Sequence, residues 1–228
     1  MKVSTDACIL GALAATQAVQ LPIGARFLDI GTGTGLLSLF LAQQHPAKID
    51  AVEVDEAAAA QAQTNFDTTT WTERLKLHTS SIQAFTASAT QCYDLVICNP
   101  PFFENDLPSI KSNAQVARHS TQLSLKELLY CITQLLKPNG FCYLLLPIKR
   151  QTELEKLLAV HQLKSAAIAI QYDSGKAAKL AVFVISQSQP EPSQASVIIK
   201  TESGNYTAEF KSLLAPFYLP TLFETVNQ

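Results

Sequence analysis

The chain has 228 residues, 47% of them apolar, and 17 Lys and Arg against 19 Asp and Glu give a formal net charge of −2. This apolar content supports a substantial core and excludes an intrinsically disordered chain. The near-neutral, slightly acidic balance excludes a protein that grips nucleic acid by bulk positive charge, while leaving room for a local basic face. Taken from the N-terminus, Lys2 before an apolar stretch has the outline of a signal peptide, but Ser4-Thr5-Asp6 interrupts that outline. Those three residues read better as a helix N-cap, so a helix is expected from about residue 7. RFLDI (26–30) is a short apolar strand, GTGTG (31–35) a glycine turn, and LLSLFLAQQ (36–44) a segment with helical spacing. KIDAVEVD (48–55) is a strand with acids near its end, followed by an alanine-rich helix from Glu56 to about Phe66. RLKLHTS (74–80) alternates as a strand does, and YDLVICN (93–99) is a continuous apolar run suited to the centre of a parallel sheet.

Two prolines and two aromatics close that run in VICNPPFF (96–103). Residues 104–123 are polar and aperiodic, the mark of a functional loop or lid. LSLKELLYCITQLLK (123–137) is an amphipathic helix with Pro138-Asn139-Gly140 as its stop signal, FCYLLLP (141–147) a buried strand, and KRQTELEKLLAVH (149–161) a further helix. KSAAIAIQY and AKLAVFVIS are β-like runs joined by Asp173-Ser174-Gly175, a hairpin signal. The expected fold is a doubly wound, seven-stranded, mostly parallel α/β sheet whose last strand is antiparallel. One domain over 1–187 is expected, then a linker with a strand and a short helix (188–228) packed on it. The five cysteines (8, 92, 98, 131, 142) include no Cys-x-x-Cys pair and no histidine at metal-ligand spacing, so neither a metal nor a disulfide framework is expected. No uncharged run is long enough to span a bilayer, and a cytoplasmic protein is expected.

The turn DIGTGTG lies between the first strand and first helix, where open α/β sheets bind ligands. Its glycines are spaced Gly-x-Gly-x-Gly (31, 33, 35), which departs from the dinucleotide fingerprint and disfavours a NAD-dependent oxidoreductase. Glu53 follows Gly35 by eighteen residues at the end of the second strand, where a carboxylate can accept both hydroxyls of a ribose. Alone, each is an ordinary tight turn or strand-end charge; in register on successive strands they describe a nucleoside site.

DIGTGTG, AVEVD and VICNPPFF, in this order and spacing, resemble the class I S-adenosylmethionine-dependent methyltransferases, a Rossmann-like fold. Asn-Pro-Pro-aromatic narrows the resemblance to the branch that acts on planar sp² nitrogens. MKVSTDACILGAL, ICNPPFF, ARHS and the terminal YTAEF…FYL are similar to the bacterial valine-tRNA adenine-N6 methyltransferases, which modify position 37 beside the anticodon. The resemblance implies S-adenosylmethionine as cofactor and a tRNA anticodon loop as partner. It places Asp29, Gly31, Thr32 and Gly33 along the amino-acid half of the cofactor, with Asn99 beside it. Glu53 falls to its ribose, Ser81 and the Ile82 amide to its adenine, Val54 to the cofactor as well, and Thr5 and Asp6 to a segment that closes over it.

The implied chemistry is positional. An exocyclic amine donates its lone pair into the ring, so the enzyme must localise that pair and aim it at an electrophilic methyl. Asn99 Oδ1 and the Pro100 carbonyl could each accept one N–H, without a covalent intermediate or a strong base. Pro100 and Pro101 have no N–H to compete, and their fixed φ holds the carbonyl. Phe102 is expected to stack on the extruded base, while Phe103 is either a second substrate contact or core. Arg118, next to His119, is the first candidate for RNA contact, with Lys111, Lys149, Arg150, Lys176 and Lys179 as further members of a rim. An rRNA guanine N2, a DNA adenine or a release-factor glutamine carries an equally planar nitrogen. The usual extra domains of guanine and glutamine enzymes have no room in this chain, which favours tRNA. A non-catalytic nucleoside-binding module is disfavoured by an intact Asn99, for which a pure binder has no use.

Overall fold

The computed structural model describes residues 4–101 and 123–219. Its helices are α1 (Thr5–Ala18), α2 (Leu36–Gln44), α3 (Glu56–Asp67), α4 (Ile82–Ser88), α5 (Leu125–Leu135), α6 (Gln151–Val160) and α7 (Ala208–Leu214). The strands are β1 (Arg26–Ile30), β2 (Lys48–Glu53), β3 (Leu75–Thr79), β4 (Tyr93–Cys98), β5 (Leu136–Pro147), β6 (Lys164–Gln171), β7 (Leu180–Ser186) and β8 (Ser196–Ile198). Among the described residues they form one eight-stranded sheet in the order β3-β2-β1-β4-β5-β7-β6-β8. Only β7 opposes the others, pairing antiparallel with both β5 and β6. The seven expected strands are all present. The eighth, β8, falls within the 188–228 segment, where a strand was expected; it is three residues long and adds in parallel to β6 at the sheet edge.

Alternate residues of the strands feed two cores. Phe27, Ile49, Ala51, Leu95, Ile97, Leu145 and Val182 pack with residues of α1, α2, α3 and α7. Leu28, Val52, Val96, Cys98, Leu144 and Phe183 pack with α4, α5 and α6. Burial on both faces is why the central strands read as unbroken apolar runs rather than alternating ones. Cys98, Cys131 and Cys142 lie in this second core as small apolar residues.

Local signals set most boundaries. Ser4 caps α1 by accepting from Ala7 N at 3.2 Å, so the helix begins at Thr5, slightly earlier than expected. In α5 a capping box joins Ser124 and Glu127, and Leu125, Leu128, Leu129, Ile132 and Leu135 turn one stripe into the core. The expected stop at Pro138-Asn139-Gly140 is instead part of β5. Leu136 already pairs with Tyr93, and after a register shift Phe141 pairs with Leu95. A Cβ at Gly140 would sit 2.9 Å from the Tyr93 carbonyl oxygen, so glycine serves close approach of strands here. Behind α1, the C-terminal elements close the molecule: α7 packs on it, Phe217 stacks on Phe40 of α2 at 4.2 Å, and Gln43 Nε2 donates to Pro216 O at 2.6 Å. None of the described helices is long and apolar enough to cross a membrane.

Toward the amino ends of the strands, Asp50 is buried inside the sheet and satisfied from four sides. His78 Nε2 lies 2.7 Å from its Oδ1; Arg26, Gln91 Nε2 and the Tyr93 hydroxyl reach its Oδ2 at 3.0–3.1 Å. These donors come from β1, β3, β4 and the turn before β4, so one carboxylate fixes the relative position of four segments. Removing it leaves several donors unpaired. Asp50→Ala is expected to lower the unfolding free energy by about 3 kcal/mol, measured by urea denaturation. A loss under about 1 kcal/mol would mean that the network is incidental.

Candidate active site

The carboxyl ends of β2, β1 and β4 stand side by side. Ile30 is in register with Val52 on one side and with Cys98 on the other, so the next residues, Gly31, Glu53 and Asn99, lie abreast along one edge. The chain winds outward from β1 through β2 to β3, then returns to β4 on the opposite flank. The gap between β1 and β4 is therefore the topological switch point, where such sheets take ligands.

Gly31, Gly33 and Gly35 all adopt positive φ, at 68°, 57° and 85°. The turn is drawn onto β2 by Gly31 N and Thr32 N, which donate to Val52 O at 2.8 and 3.1 Å. A Cβ on Gly35 would meet the Phe66 ring at 2.5 Å, whereas one on Gly31 would have no described atom within 4 Å. Gly31 thus faces open space, a backbone surface that a ligand can approach.

Asp29 is fully buried at the end of β1. Its Oδ2 accepts from Thr32 Oγ1 at 2.5 Å, Ser38 N at 3.0 Å and Ser38 Oγ at 2.7 Å. Its Oδ1 is buried without a partner among the described residues. Burial raises the carboxyl to about 6 against the opposing pull of the Thr32 and Ser38 hydrogen bonds, and the nearby Glu53 charge adds to the rise. Glu53 braces the same turn: Oε2 accepts from Gly33 N at 2.8 Å, and Oε1 from Val54 N and Asp55 N, both at 2.9 Å. These three donors leave about one of the four carboxylate lone-pair positions open, fewer than the two a ribose diol would engage.

Asn99 is half-buried, Pro100 buried and Pro101 exposed. Neither the Asn99 side chain nor the Pro100 carbonyl has a hydrogen-bond partner among the described residues. On the far side of Glu53, Val54 is 68% exposed and Ile82 is buried. Ser80 N donates to Glu53 O at 2.9 Å, bringing the start of α4 to this edge. Ser81 spends its hydroxyl as the α4 cap, accepting from Ala84 N at 3.2 Å. Thr5 is exposed in the first turn of α1, and Asp6 beside it accepts from the Tyr172 hydroxyl. Phe102, Phe103, Lys111, Arg118 and His119 lie outside the described residues. Lys149, Arg150, Lys176 and Lys179 flank strand ends of the same edge, with Arg150 paired to Glu153 and Lys176 to Asp173. Sequence reasoning missed Ser38. Its signal was a lone hydroxyl within the apolar segment LLSLFL, which needs a buried partner.

An unpartnered buried carboxylate oxygen, open glycine backbone, a carboxylate with a spare acceptor position and an exposed apolar lip suit a ligand with a cationic group, a hydroxylated sugar and a flat base. Comparison with known proteins identifies the group. A family model described as the methyltransferase small domain matches residues 10–160. Proteins named tRNA1(Val) (adenine(37)-N6)-methyltransferase are similar along nearly the whole length. The one from Cytophaga hutchinsonii is 37% identical over 223 residues, covering 96% of this chain and 91% of that protein. The Shewanella baltica (strain OS185) protein is 38% identical, covering 96% and 92%, and that of Pectobacterium carotovorum is 34% identical, covering 96% and 88%. The chain belongs to this methyltransferase family. Solved methyltransferases share its fold: a predicted O-methyltransferase from Agrobacterium tumefaciens superposes with a TM-score of 0.66 at 14% identity, covering 90% of this chain and 95% of the other. A ribosomal protein L11 methylase from Lactobacillus delbrueckii gives 0.54 at 16% identity, with 77% of each chain covered. The sheet is thus that of a class I methyltransferase, with β8 added to the seven expected strands.

The raised Asp29 carboxyl makes the unliganded methyltransferase pH-sensitive. Below about pH 3 the group is mostly neutral in folded and unfolded chains alike and costs little. As pH rises to about 6 the unfolded chain ionises first, so stability falls through that window and then levels off. Asp29→Asn should therefore match the wild type near pH 3 and exceed it by about 3 kcal/mol at pH 7, read from thermal melts without ligand. An advantage independent of pH would contradict this account.

Proposed function

We propose that this methyltransferase transfers a methyl group from S-adenosyl-L-methionine to N6 of adenine 37 in the anticodon loop of a valine tRNA. One observation carries the reading: Asn99-Pro100 stands abreast of the glycine turn and Glu53, with its polar acceptors unpaired among the described residues, in a chain similar from end to end to enzymes of that name.

When bound, S-adenosylmethionine supplies a methyl group on a sulfonium, which leaves as a neutral thioether. Asp29 Oδ1 takes the cationic amino-acid end, alongside Gly31, Thr32 and Gly33. Glu53 accepts a ribose hydroxyl at its remaining position. Ser81, Ile82 and Val54 border the adenine, and Thr5 borders the cofactor from α1. Asn99 Oδ1 and the Pro100 carbonyl would each accept one N–H of the target amine. That holds the nitrogen with its lone pair toward the methyl, and the proton leaves after transfer, when the nitrogen is cationic. Pro101, Phe102, Phe103 and Arg118 complete the substrate side, Phe102 by stacking on the base. An anticodon-loop purine is already unpaired, so extruding it costs little.

Purified protein with methyl-labelled S-adenosylmethionine is expected to label tRNA that lacks the modification, and nuclease digestion should return the label as N6-methyladenosine. Label appearing in a release factor, DNA or rRNA instead would reject the substrate. Asn99→Ala should lower kcat by about a hundredfold or more while leaving cofactor affinity within about threefold; loss of both would contradict its assigned role.

A further inference from the structure

The edge that carries the active site continues across the other half of the sheet, and what stands on it there has no part in the chemistry above. Pro147 at the end of β5 is in register with Leu180 at the start of β7, which also faces Ile170 near the end of β6; Gln171 is in register with Ile198 of β8. Lys149, Tyr172 and Lys200 come just after these strand ends and Lys179 just before the start of antiparallel β7, so all four stand on the edge that carries Gly31 and Asn99. Backbone bonds tie the row together: Ile148 N to Lys179 O at 2.9 Å, Ile199 N to Gln171 O at 2.8 Å, and Ser174 N to Lys200 O at 3.0 Å. The separation of β4 from β6, three strand spacings, is about 14 Å, a few nucleotides from the target and too far to touch it.

Tyr172 is 47% exposed, yet its hydroxyl is fixed by a 2.5 Å hydrogen bond to Asp6 of α1. A ring held open to solvent with its free end pinned is a platform that loses little entropy when something stacks on it. Lys200 lies next to it, its Nζ 5.4 Å from the centre of the Tyr206 ring, and that ring stacks in turn on Phe210. Lys149, Lys179 and Lys200 are exposed and form no ion pair among the described residues. The acids nearest in sequence are Glu153, which pairs with Arg150 at 2.9 Å, Asp173, which pairs with Lys176 at 3.5 Å, and Glu202. Exposed aromatic faces interleaved with unpaired lysines are how single-stranded RNA is held: bases stack and phosphates pair.

We infer that this row is a second RNA subsite, in which Tyr172 stacks a loop nucleotide flanking the target adenine and Lys149, Lys179 and Lys200 take the phosphates beside it. The inference rests on the tRNA reading above and names where the rest of the loop is held. An unmodified anticodon stem-loop, titrated by fluorescence anisotropy and used as substrate, tests it. Tyr172→Ala should weaken binding and raise KM by about tenfold with kcat and cofactor affinity unchanged, whereas Tyr172→Phe, which keeps the ring, should retain most of the affinity. The triple variant Lys149→Ala/Lys179→Ala/Lys200→Ala should reduce the slope of log Kd against log salt by about 2. Wild-type binding by both Tyr172→Ala and the triple variant, in an enzyme that methylates the stem-loop, would overturn the subsite. Should Tyr172→Ala lose cofactor binding and thus its fold, the triple variant alone decides. Failure of the wild type to methylate any tRNA rejects the parent reading instead, and is told apart because it needs no variant.

Discussion

Asp29 Oδ2 receives hydrogen bonds from Thr32 Oγ1 and from both the amide and the hydroxyl of Ser38, and so joins the end of β1 to the first turn of α2. The glycine turn between them has no choice of path: it must leave β1, take three positive φ angles and enter the helix while this oxygen is shared. Glu53 then grips the middle of the turn through Gly33 N from the neighbouring strand. Two carboxylates from adjacent strands therefore shape one loop, and each keeps acceptor capacity that no described residue uses. The cost is borne by Asp29, whose other oxygen is buried with no partner among the described residues. A site that is strained without its ligand and relieved with it converts binding into stability.

The opposite side of the crevice works by subtraction. Pro100 and Pro101 bring no N–H to the lip, so the acceptors at the end of β4 face no competing donor from their own backbone. Because β4 lies between β1 and β5 and is buried on both faces, this lip is anchored by the most rigid part of the molecule. Positional catalysis depends on such anchoring, since a misplaced acceptor cannot hold the amine's lone pair in line.

Much of this was legible in the residues because the constraints are local. Continuous apolar runs announced strands buried on both faces, GTGTG announced a tight glycine turn, and Ser4 stood where a cap is needed. What escaped depends on partners distant in sequence. Pro138-Asn139-Gly140 has the chemistry of a helix stop, but pairing of Leu136 with Tyr93 draws it into a bulged strand. Glu53 was read as free for a ribose, and only the fold reveals that three backbone amides already occupy it. Ser81 was read as a ligand contact, while the folded chain gives its hydroxyl to Ala84 N.

The packing of α7 and Phe217 on α1 and α2 also governs how the protein is made. Helix α1 carries Ala7, Ile9, Leu10, Leu13 and Ala14 into the core, and part of its cover is synthesised some two hundred residues later. During translation that apolar surface must wait uncovered, shielded by the sheet alone or by a chaperone. A product cut short before α7 would keep the nucleotide crevice while presenting a sticky flank, so loss of the C-terminal segment would appear first as poor recovery from cells and only secondarily as lost turnover.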